Sequence, residues 1–389
     1  MALVPATYNV RGLFVRRAST VLTVFGIGAT VAVLAGVLAL QQGFARLFAE
    51  NGRTDVAVFL RPGSSSEGES GFRRDMAQSL IKSVPEVAVD EQGRPLASGE
   101  LYTAVRLFKL DGGETNVPIR GVDPLSFSIR GDDFRIVEGR NFTQGADEVI
   151  VGRALTARIR DTHVDDVIVL NLTPFRVVGT FECEGPFGSE IWGDVNRMGD
   201  ALERDGYSRV IAQVKPGTDM EALSKRFEED KLAPAKVLSE REYLKSQTKM
   251  LGSVLLVLGQ FLAVVMGTAA VFTGTNAMLA SLAARTHEIG ILLSIGFRPF
   301  AVFLSFLFEA LLLGLLGGVV GCLMVLPLNG VRTGTTNWQT FTEVAFAFRI
   351  TPEVLGPAVA FAIVLGLLGG AWPAWRAARL QPTQALRRE

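Results

Sequence analysis

Leu282-Ala-Ala-Arg-Thr-His-Glu-Ile-Gly-Ile-Leu-Leu-Ser-Ile-Gly-Phe-Arg-Pro299 is a short charged stretch set between two long apolar runs. A charged insert between runs of membrane-crossing length has to emerge from the bilayer, because an ionised side chain in hydrocarbon is costly. Its charges gather at its start, while Ile289, Leu292, Leu293 and Gly296 recur at helical spacing on one face. A connecting loop need only be polar. An amphipathic turn of this kind reads as a surface built to be gripped by another body.

Working outward, the 389 residues are apolar overall (48% hydrophobic), yet their charge is concentrated in one block. No charged residue stands between Arg17 and Arg46, Lys249 and Arg285, Glu309 and Arg332, or Glu353 and Arg376. Each gap meets or exceeds the roughly 20 residues that cross a hydrocarbon core. The fold class expected is therefore a membrane protein of four transmembrane α-helices, with a large α+β extracytoplasmic domain between helices 1 and 2 raised on a helical stalk. The first run follows Arg11, Arg16 and Arg17 as a signal peptide would. It is longer than the roughly 7–15 residues of a signal core and has no small-x-small cleavage site, so it reads as a retained helix.

Basic residues orient the chain. Segments 1–20, 281–299 and 375–389 hold Arg11, Arg16, Arg17, Arg285, Arg298, Arg376, Arg379, Arg387 and Arg388 against Glu288 and Glu389. The loop 329–352 holds Arg332 and Arg349 against Glu343. By the positive-inside rule both termini and the 281–299 turn are expected to be cytoplasmic and residues 41–249 to lie on the other side of the membrane. That block carries 28 Lys and Arg against 34 Asp and Glu, a net of −6.

The expected order is an interfacial helix in 1–20, the first span and its extension in 21–48, and the α+β domain in 49–238. A stalk and second span follow in 239–280, then the turn 281–299, the third span in 300–328, the outer loop 329–352, the fourth span in 353–374 and the tail 375–389. Within the domain, strands are expected at Asp55–Pro62 and from Val87, a helix at Phe72–Ser83, and a flexible Gly/Ser/Glu loop at Gly63–Gly71. A mostly β insertion covers about 100–200, and Ser239 starts a helix running straight into the second span. Small residues fall on helix faces where a neighbour can approach: Gly28, Ala32 and Gly36; Gly252, Gly259, Gly267 and Gly274; Gly317 and Gly321; Gly366 and Gly370.

Chemistry is sparse. There is no Gly-x-x-x-x-Gly-Lys-Ser/Thr phosphate loop, Gly-x-Ser-x-Gly or His-Glu-x-x-His pattern. With only His163, His287, Cys183 and Cys322 on hand, no metal site and no disulfide framework are expected. No basic, aromatic-interleaved patch suggests nucleic acid. Glu309 is the one acid inside an apolar run, a functional hypothesis by default. No second intramembrane ionisable group offers it a partner, which favours a structural reading.

One helix, a large outer domain, three helices and a basic tail resemble the permease subunits of MacB-type (type VII) ABC transporters, with their FtsX-like and MacB-like periplasmic core regions. Arg285-Thr-His-Glu-Ile-Gly-Ile-Leu-Leu-Ser-Ile-Gly-Phe297 resembles the family's turn between its second and third spans. Phe308-Glu-Ala310 and the glycines after it resemble the third span. Pro373-Ala-Trp-Arg-Ala-Ala-Arg-Leu-Gln-Pro-Thr-Gln-Ala-Leu-Arg387 resembles the closing tail, and Val117-Pro-Ile-Arg-Gly-Val-Asp123 and Phe175-Arg-Val-Val-Gly-Thr-Phe181 the periplasmic fold. Leu293 departs from the family, which usually has a basic residue there.

The resemblance implies a bacterial inner membrane location with residues 41–249 periplasmic, and a chain that is not itself an enzyme. Two permease copies, a homodimer or a pair of paralogues, would work with two separate ABC ATPase subunits, which bind the ATP and Mg; the chain itself carries no cofactor. The ATPases would push on Arg285, His287, Glu288, Gly290 and Gly296, and the stalks would move the periplasmic domains without a substrate path through the bilayer. The plainer reading of those residues is a tight elbow. A lipoprotein-extracting permease with acyl chains entering between the first two spans, a transducer controlling a cell-wall hydrolase, and a four-span receptor without an ATPase stay open. So does an adaptor or lipoprotein docking outside, with Glu184-Gly-Pro-Phe-Gly188 as one contact loop.

Overall fold

The computed structural model describes residues 5–15, 17–49, 52–183, 185–337 and 342–381. In chain order the helices are α1 (Ala6–Val15), α2 (Arg17–Ala49), α3 (Arg74–Lys82), α4 (Pro124–Arg130), α5 (Arg153–Thr156), α6 (Val195–Ala201), α7 (Met220–Glu228), α8 (Glu240–Ala284), α9 (Thr286–Ser294), α10 (Pro299–Val325) and α11 (Pro352–Ala378). The strands are β1 (Val56–Leu60), β2 (Ala97–Phe108), β3 (Glu114–Val122), β4 (Phe134–Gly139), β5 (Glu148–Gly152), β6 (Val167–Leu170), β7 (Thr173–Cys183), β8 (Ile191–Asp194), β9 (Arg209–Gln213), β10 (Lys236–Ser239), β11 (Arg332–Asn337) and β12 (Thr342–Ala347). They form two compact units: Phe44–Gly252 with Arg332–Phe346, and Met1–Gly43 with Ser253–Val331 and Ala347–Glu389.

The first unit is built on a ten-stranded mixed sheet in the order β10-β1-β9-β2-β3-β8-β5-β7-β4, with β6 on β7. The expected β insertion is β2 to β8. It packs its own core of Val117, Ile119, Val149, Val151, Phe175, Val177 and Ile191 against α6. The other end of the sheet packs α3 and α7 over Ala57, Phe59, Val210, Ala212 and Val237. Three short helices begin on aspartates whose carboxylates accept from backbone N–H groups of the first turn: Asp123 for α4, Asp194 for α6 and Asp219 for α7. Such caps satisfy donors that have no partner inside the helix.

Two expectations in this unit fail. Val87–Val89 forms no strand; Val87 and Val89 make single bridges to Val214 and Pro95, because the Asp90–Arg94 turn closes at once. Gly63–Gly71 is not a loose loop. Ser64, Ser66, Glu67 and Ser70 are buried, and Ser70 Oγ accepts from Arg61 N–H at 2.9 Å. Small hydroxylated residues that looked like a linker let the chain pack closely. The outer stretch 329–352 also holds structure, the antiparallel pair β11–β12.

Among the described residues four helices are long and apolar enough to cross a membrane, α2, α8, α10 and α11, and the second unit holds most of their length. Glycines set their packing. An added Cβ on Gly317 would lie 2.6 Å from Ile27 Cγ2, and on Gly321 2.6 Å from Gly28 O, so α10 and α2 touch backbone to backbone. On Gly366 it would meet Ala310 O at 2.6 Å, and on Gly370 Ala310 Cβ at 2.2 Å, which seats α11 on α10. A Cβ on Gly259 would lie 3.1 Å from Val37, and one on Gly267 3.1 Å from Leu365 and 3.2 Å from Phe361. Around Gly252, among the described residues, nothing lies within 4 Å of an added Cβ. α11 runs through Pro373 and continues to Ala378.

At 45 residues, α8 is about 67 Å long by the helical rise of 1.5 Å per residue. That is more than twice the roughly 30 Å of a hydrocarbon core. Its first turns belong to the sheet unit and the remainder to the helical unit.

Candidate functional site

The quoted turn folds as α9 between two defined breaks. At its start Arg285 leaves helical geometry (φ −110°, ψ 9°), so α8 ends and α9 begins. At its end Gly296 has φ +103°, a conformation costly for any residue with a Cβ. Phe297 N–H donates to Leu292 O at 3.1 Å and Gly296 N–H to Leu293 O at 3.2 Å. This pairing of the last carbonyls is a Schellman stop. Arg298 is extended and Pro299 opens α10, where the missing N–H is no loss. Gly296 therefore ends α9 and does not continue its apolar face.

The two faces of α9 divide clearly. Ile289 and Gly290 are buried, and Ile289 packs with Met278, Leu282, Val302 and Phe306. Leu293 joins the rim of that cluster beside Leu279, Phe303 and Leu380, so the departure from a basic residue is accommodated by packing inward. His287, Glu288, Ile291, Ser294 and Ile295 are exposed, at helical spacing along the opposite face. Ile291 and Ile295 are 41% and 72% exposed. The sequence reading assigned the apolar character of the turn to Ile289, Leu292 and Leu293 and missed this outer ridge. The signal was present as two isoleucines four apart, following His287 and Glu288.

Arg285 points the other way. It is 6% exposed, and its Nη1 donates to Glu309 Oε2 at 3.1 Å; Glu309 is 5% exposed. The guanidinium also lies against α1: a Cβ on Gly12 would sit 1.9 Å from its Nη2. The expectation that Glu309 has no ionisable partner is overturned. Arg285 counts as part of the turn by sequence, yet in space it is the counter-charge inside the bundle. The reach of an arginine stem, long enough to turn back from an elbow, is what the spacing did not disclose.

The candidate residues thus fall into three groups. His287, Glu288 and Gly296 lie on the exposed side, Gly290 inside the packed face, and Arg285 and Glu309 as a buried ion pair. Among the described residues no group of three His, Cys, Asp or Glu could hold a metal. Cys183 and Cys322 are both free thiols, and burial pushes Cys183 up to about 12. Glu184 and residues 382–389, which include part of the expected contact loop and the basic tail, lie outside the described residues.

Residues 20–230 match the MacB-like periplasmic core domain and residues 260–382 the FtsX-like permease C-terminal domain. The pyoverdine export ATP-binding/permease protein PvdT of Pseudomonas savastanoi pv. phaseolicola is 26% identical over 97% of this chain and 58% of its own length. The chain thus spans less than two thirds of that relative. The uncharacterized ABC transporter permease YvrN of Bacillus subtilis is 24% identical over 97% of this chain and 98% of its own length. The solved periplasmic region of MacB from Actinobacillus actinomycetemcomitans is 11% identical, covering 49% of this chain and 91% of that one at a TM-score of 0.36, a likeness that adds nothing to the sequence matches. With the first domain match alone covering more than half of its residues, and the second taking in the turn and the last three spans, the chain belongs to the MacB-type ABC transporter permeases.

Proposed function

We propose that this chain is a permease subunit that carries ATP-driven movement from a separate cytoplasmic ATPase dimer to its periplasmic domain, for the efflux or export of a periplasmic substrate. The observation that carries the reading is the two-faced α9. Its inner face is cemented into the bundle by Ile289 and the Ile289 cluster. Its outer face offers His287, Glu288, Ile291 and Ile295 to a partner. An apolar ridge flanked by an acid is the chemistry of a protein contact, since partners bury such anchors and pair the rim charge.

Displacement of α9 has a route. It reaches α8 through the Arg285 elbow and α10 through the Arg285–Glu309 pair. A continuous helix conveys displacement along its axis better than a loop, and the packed glycine seams leave the bundle to work as a rod rather than a pore. A second permease copy, identical or paralogous, completes the assembly, and ATP and Mg are held by the partner subunits. The names of two relatives, a pyoverdine export and a macrolide export ATP-binding/permease protein, support efflux as the transport role. The lipoprotein-extracting alternative needs an open seam between α2 and α8. The close approach of Gly259 and Val37 there counts against it.

The test is affinity capture of the tagged full chain from its native membrane, followed by ATPase assay. A nucleotide-binding subunit should copurify, and Glu288→Lys should abolish permease-dependent stimulation of hydrolysis while leaving the chain folded. Recovery of no such subunit would refute the proposal, and intact stimulation in the variant would refute the role given to α9.

A further inference from the structure

The sheet unit buries an ionic cluster that the transport reading has not used. Arg120 on β3 is wholly inaccessible and makes five hydrogen bonds to three carboxylates. It forks onto Glu67 at 2.8 and 2.9 Å and onto Glu190 at 2.7 and 2.8 Å, and it reaches Glu100 at 3.0 Å. Arg209 on β9 donates to Glu100 at 2.6 and 2.8 Å and lies 3.1 Å from Glu67. Arg130, at the end of α4, lies 3.6 Å from both Glu100 and Glu240, with its guanidinium 4.0 Å from the centre of the Phe187 ring. Burial alone would raise the carboxyls of Glu67 and Glu100, but the surrounding arginines hold both below their ordinary value.

Such a cluster is an expensive way to fill a core. Apolar side chains of the same volume commonly stabilise as well or better, so a buried charge network is best explained where one geometry must be specified. The segment it specifies here is the start of α8. Glu240 accepts from Arg53 N–H at 3.3 Å and faces Arg130. Tyr243 Oη accepts from Glu67 N–H at 3.2 Å, and Gln247 Nε2 donates to Ser65 O at 2.9 Å. Residues 240, 243 and 247 form one helix face, and all three are buried. The same region receives β12, where Thr342 lies 3.3 Å from Tyr102 Oη, and Phe44 of α2, whose ring meets Phe346 at 5.4 Å.

We infer that the Glu67–Glu100–Arg120–Glu190–Arg209 cluster is a register clamp, seating the first turns of α8 on the sheet so that helix and sheet move as one body. This rests on the permease reading for its purpose but not for its geometry. A helix held by an apolar face can slip along a sheet by a turn of about 5.4 Å. Hydrogen bonds at three positions, to the backbones of Arg53, Glu67 and Ser65, admit one register, and the fork of Arg120 onto the Glu67 carboxylate fixes the loop that supplies two of them. Tyr243 and Gln247 are then positioning residues of the transmission path, and loop 63–71 is the part that grips them.

The test uses the full chain in lipid nanodiscs with Cys183 and Cys322 replaced by serine and spin labels at Lys245→Cys and Val169→Cys, both exposed. Arg120→Met can fail to fold, so the informative variant is Tyr243→Phe with Gln247→Ala, which leaves every buried charge paired. Without nucleotide, the unsubstituted α8 should give one narrow distance distribution. The double variant should at least double its width, or add a second population displaced by about one helical turn, at unchanged circular dichroism. With the copurified ATPase, the variant should keep ATP hydrolysis while ATP-driven change in the sheet is lost. A narrow distribution retained by the folded double variant, or a broad one already present in its parent, overturns the clamp. Failure of the permease reading shows separately, as absence of any ATPase partner, and leaves the nucleotide-free distances to judge the clamp alone.

Discussion

Separating Arg285 from Glu309 should be strongly destabilising, and removing both should cost less than removing either. The two side chains are 7% and 6% exposed with Nη1 and Oε2 3.1 Å apart. At an effective dielectric near 20 the attraction at that distance is about 5 kcal/mol, most of it offset by the cost of taking two ions out of water. Breaking such a pair from one side typically costs about 3–5 kcal/mol, because the remaining charge is stranded. That is a fall of about 6–20 °C in melting midpoint, at about 2–4 °C per kcal/mol. The assay is a double-mutant cycle of Arg285→Met, Glu309→Gln and the combination, followed by thermal unfolding in detergent micelles. The combination should recover at least about 2 kcal/mol relative to the sum of the singles, within the range measured for directly coupled residues. Additive losses would refute the pairing and return Arg285 to the exposed face of the turn.

The glycine seams predict opposite outcomes at two positions of like appearance. Gly370→Val should prevent assembly of α11 on α10, since even a Cβ would lie 2.2 Å from Ala310 Cβ, whereas Gly252→Ala should be neutral or stabilising by about 0.5–1 kcal/mol; comparable yields of folded protein from both would be inconsistent. Acid stability follows from the clamp. Glu67 and Glu100 are depressed in the folded chain, so their contribution is fully present above the ordinary value of 4.5 and is lost as pH falls through the lower folded values. The melting midpoint should hold steady from pH 7 to 4.5 and decline only below it, and stability that rises on acidification through that range would contradict the charged state of the cluster. Desolvation pushes the Cys183 thiol up, so it should react with iodoacetamide at pH 8 at least tenfold more slowly in the native chain than in urea; equal rates would show that the thiol is not shielded by the fold.

What could be read from the residues alone was whatever rests on long, repeated patterns. Four charge-free gaps disclose four spans, and an apolar helix signal that begins at Ser239 and ends near Arg285 discloses α8 as too long for the bilayer. Seams at Gly317, Gly321, Gly366 and Gly370 were legible because spacing by four places small residues on one face. Contacts between distant segments were not legible. Glu67 sits in a tract whose composition says linker, and only its meeting with Arg120, 53 residues on, makes it a buried ligand of an ionic lattice. Arg285 is adjacent in sequence to His287 and Glu288, but its long stem carries the charge to the opposite side of the helix. Ile291 and Ile295 were overlooked because in a chain this apolar an isoleucine defaults to the interior, and only the packing of Ile289 shows which face is which. The pairing of β11 with β12 was hidden for a similar reason, since a six-residue strand needs its partner to be recognised.

The central claim is that ATP hydrolysed by a partner at α9 moves the sheet unit. Hydrogen exchange of the captured permease–ATPase complex, compared without nucleotide and after trapping with ATP and vanadate, addresses it directly. The account predicts altered exchange in peptides from the clamp, around Glu67, Arg120 and Tyr243, and no alteration when Glu288→Lys is present. Hydrolysis that proceeds normally while exchange throughout residues 56–239 stays unchanged would contradict it.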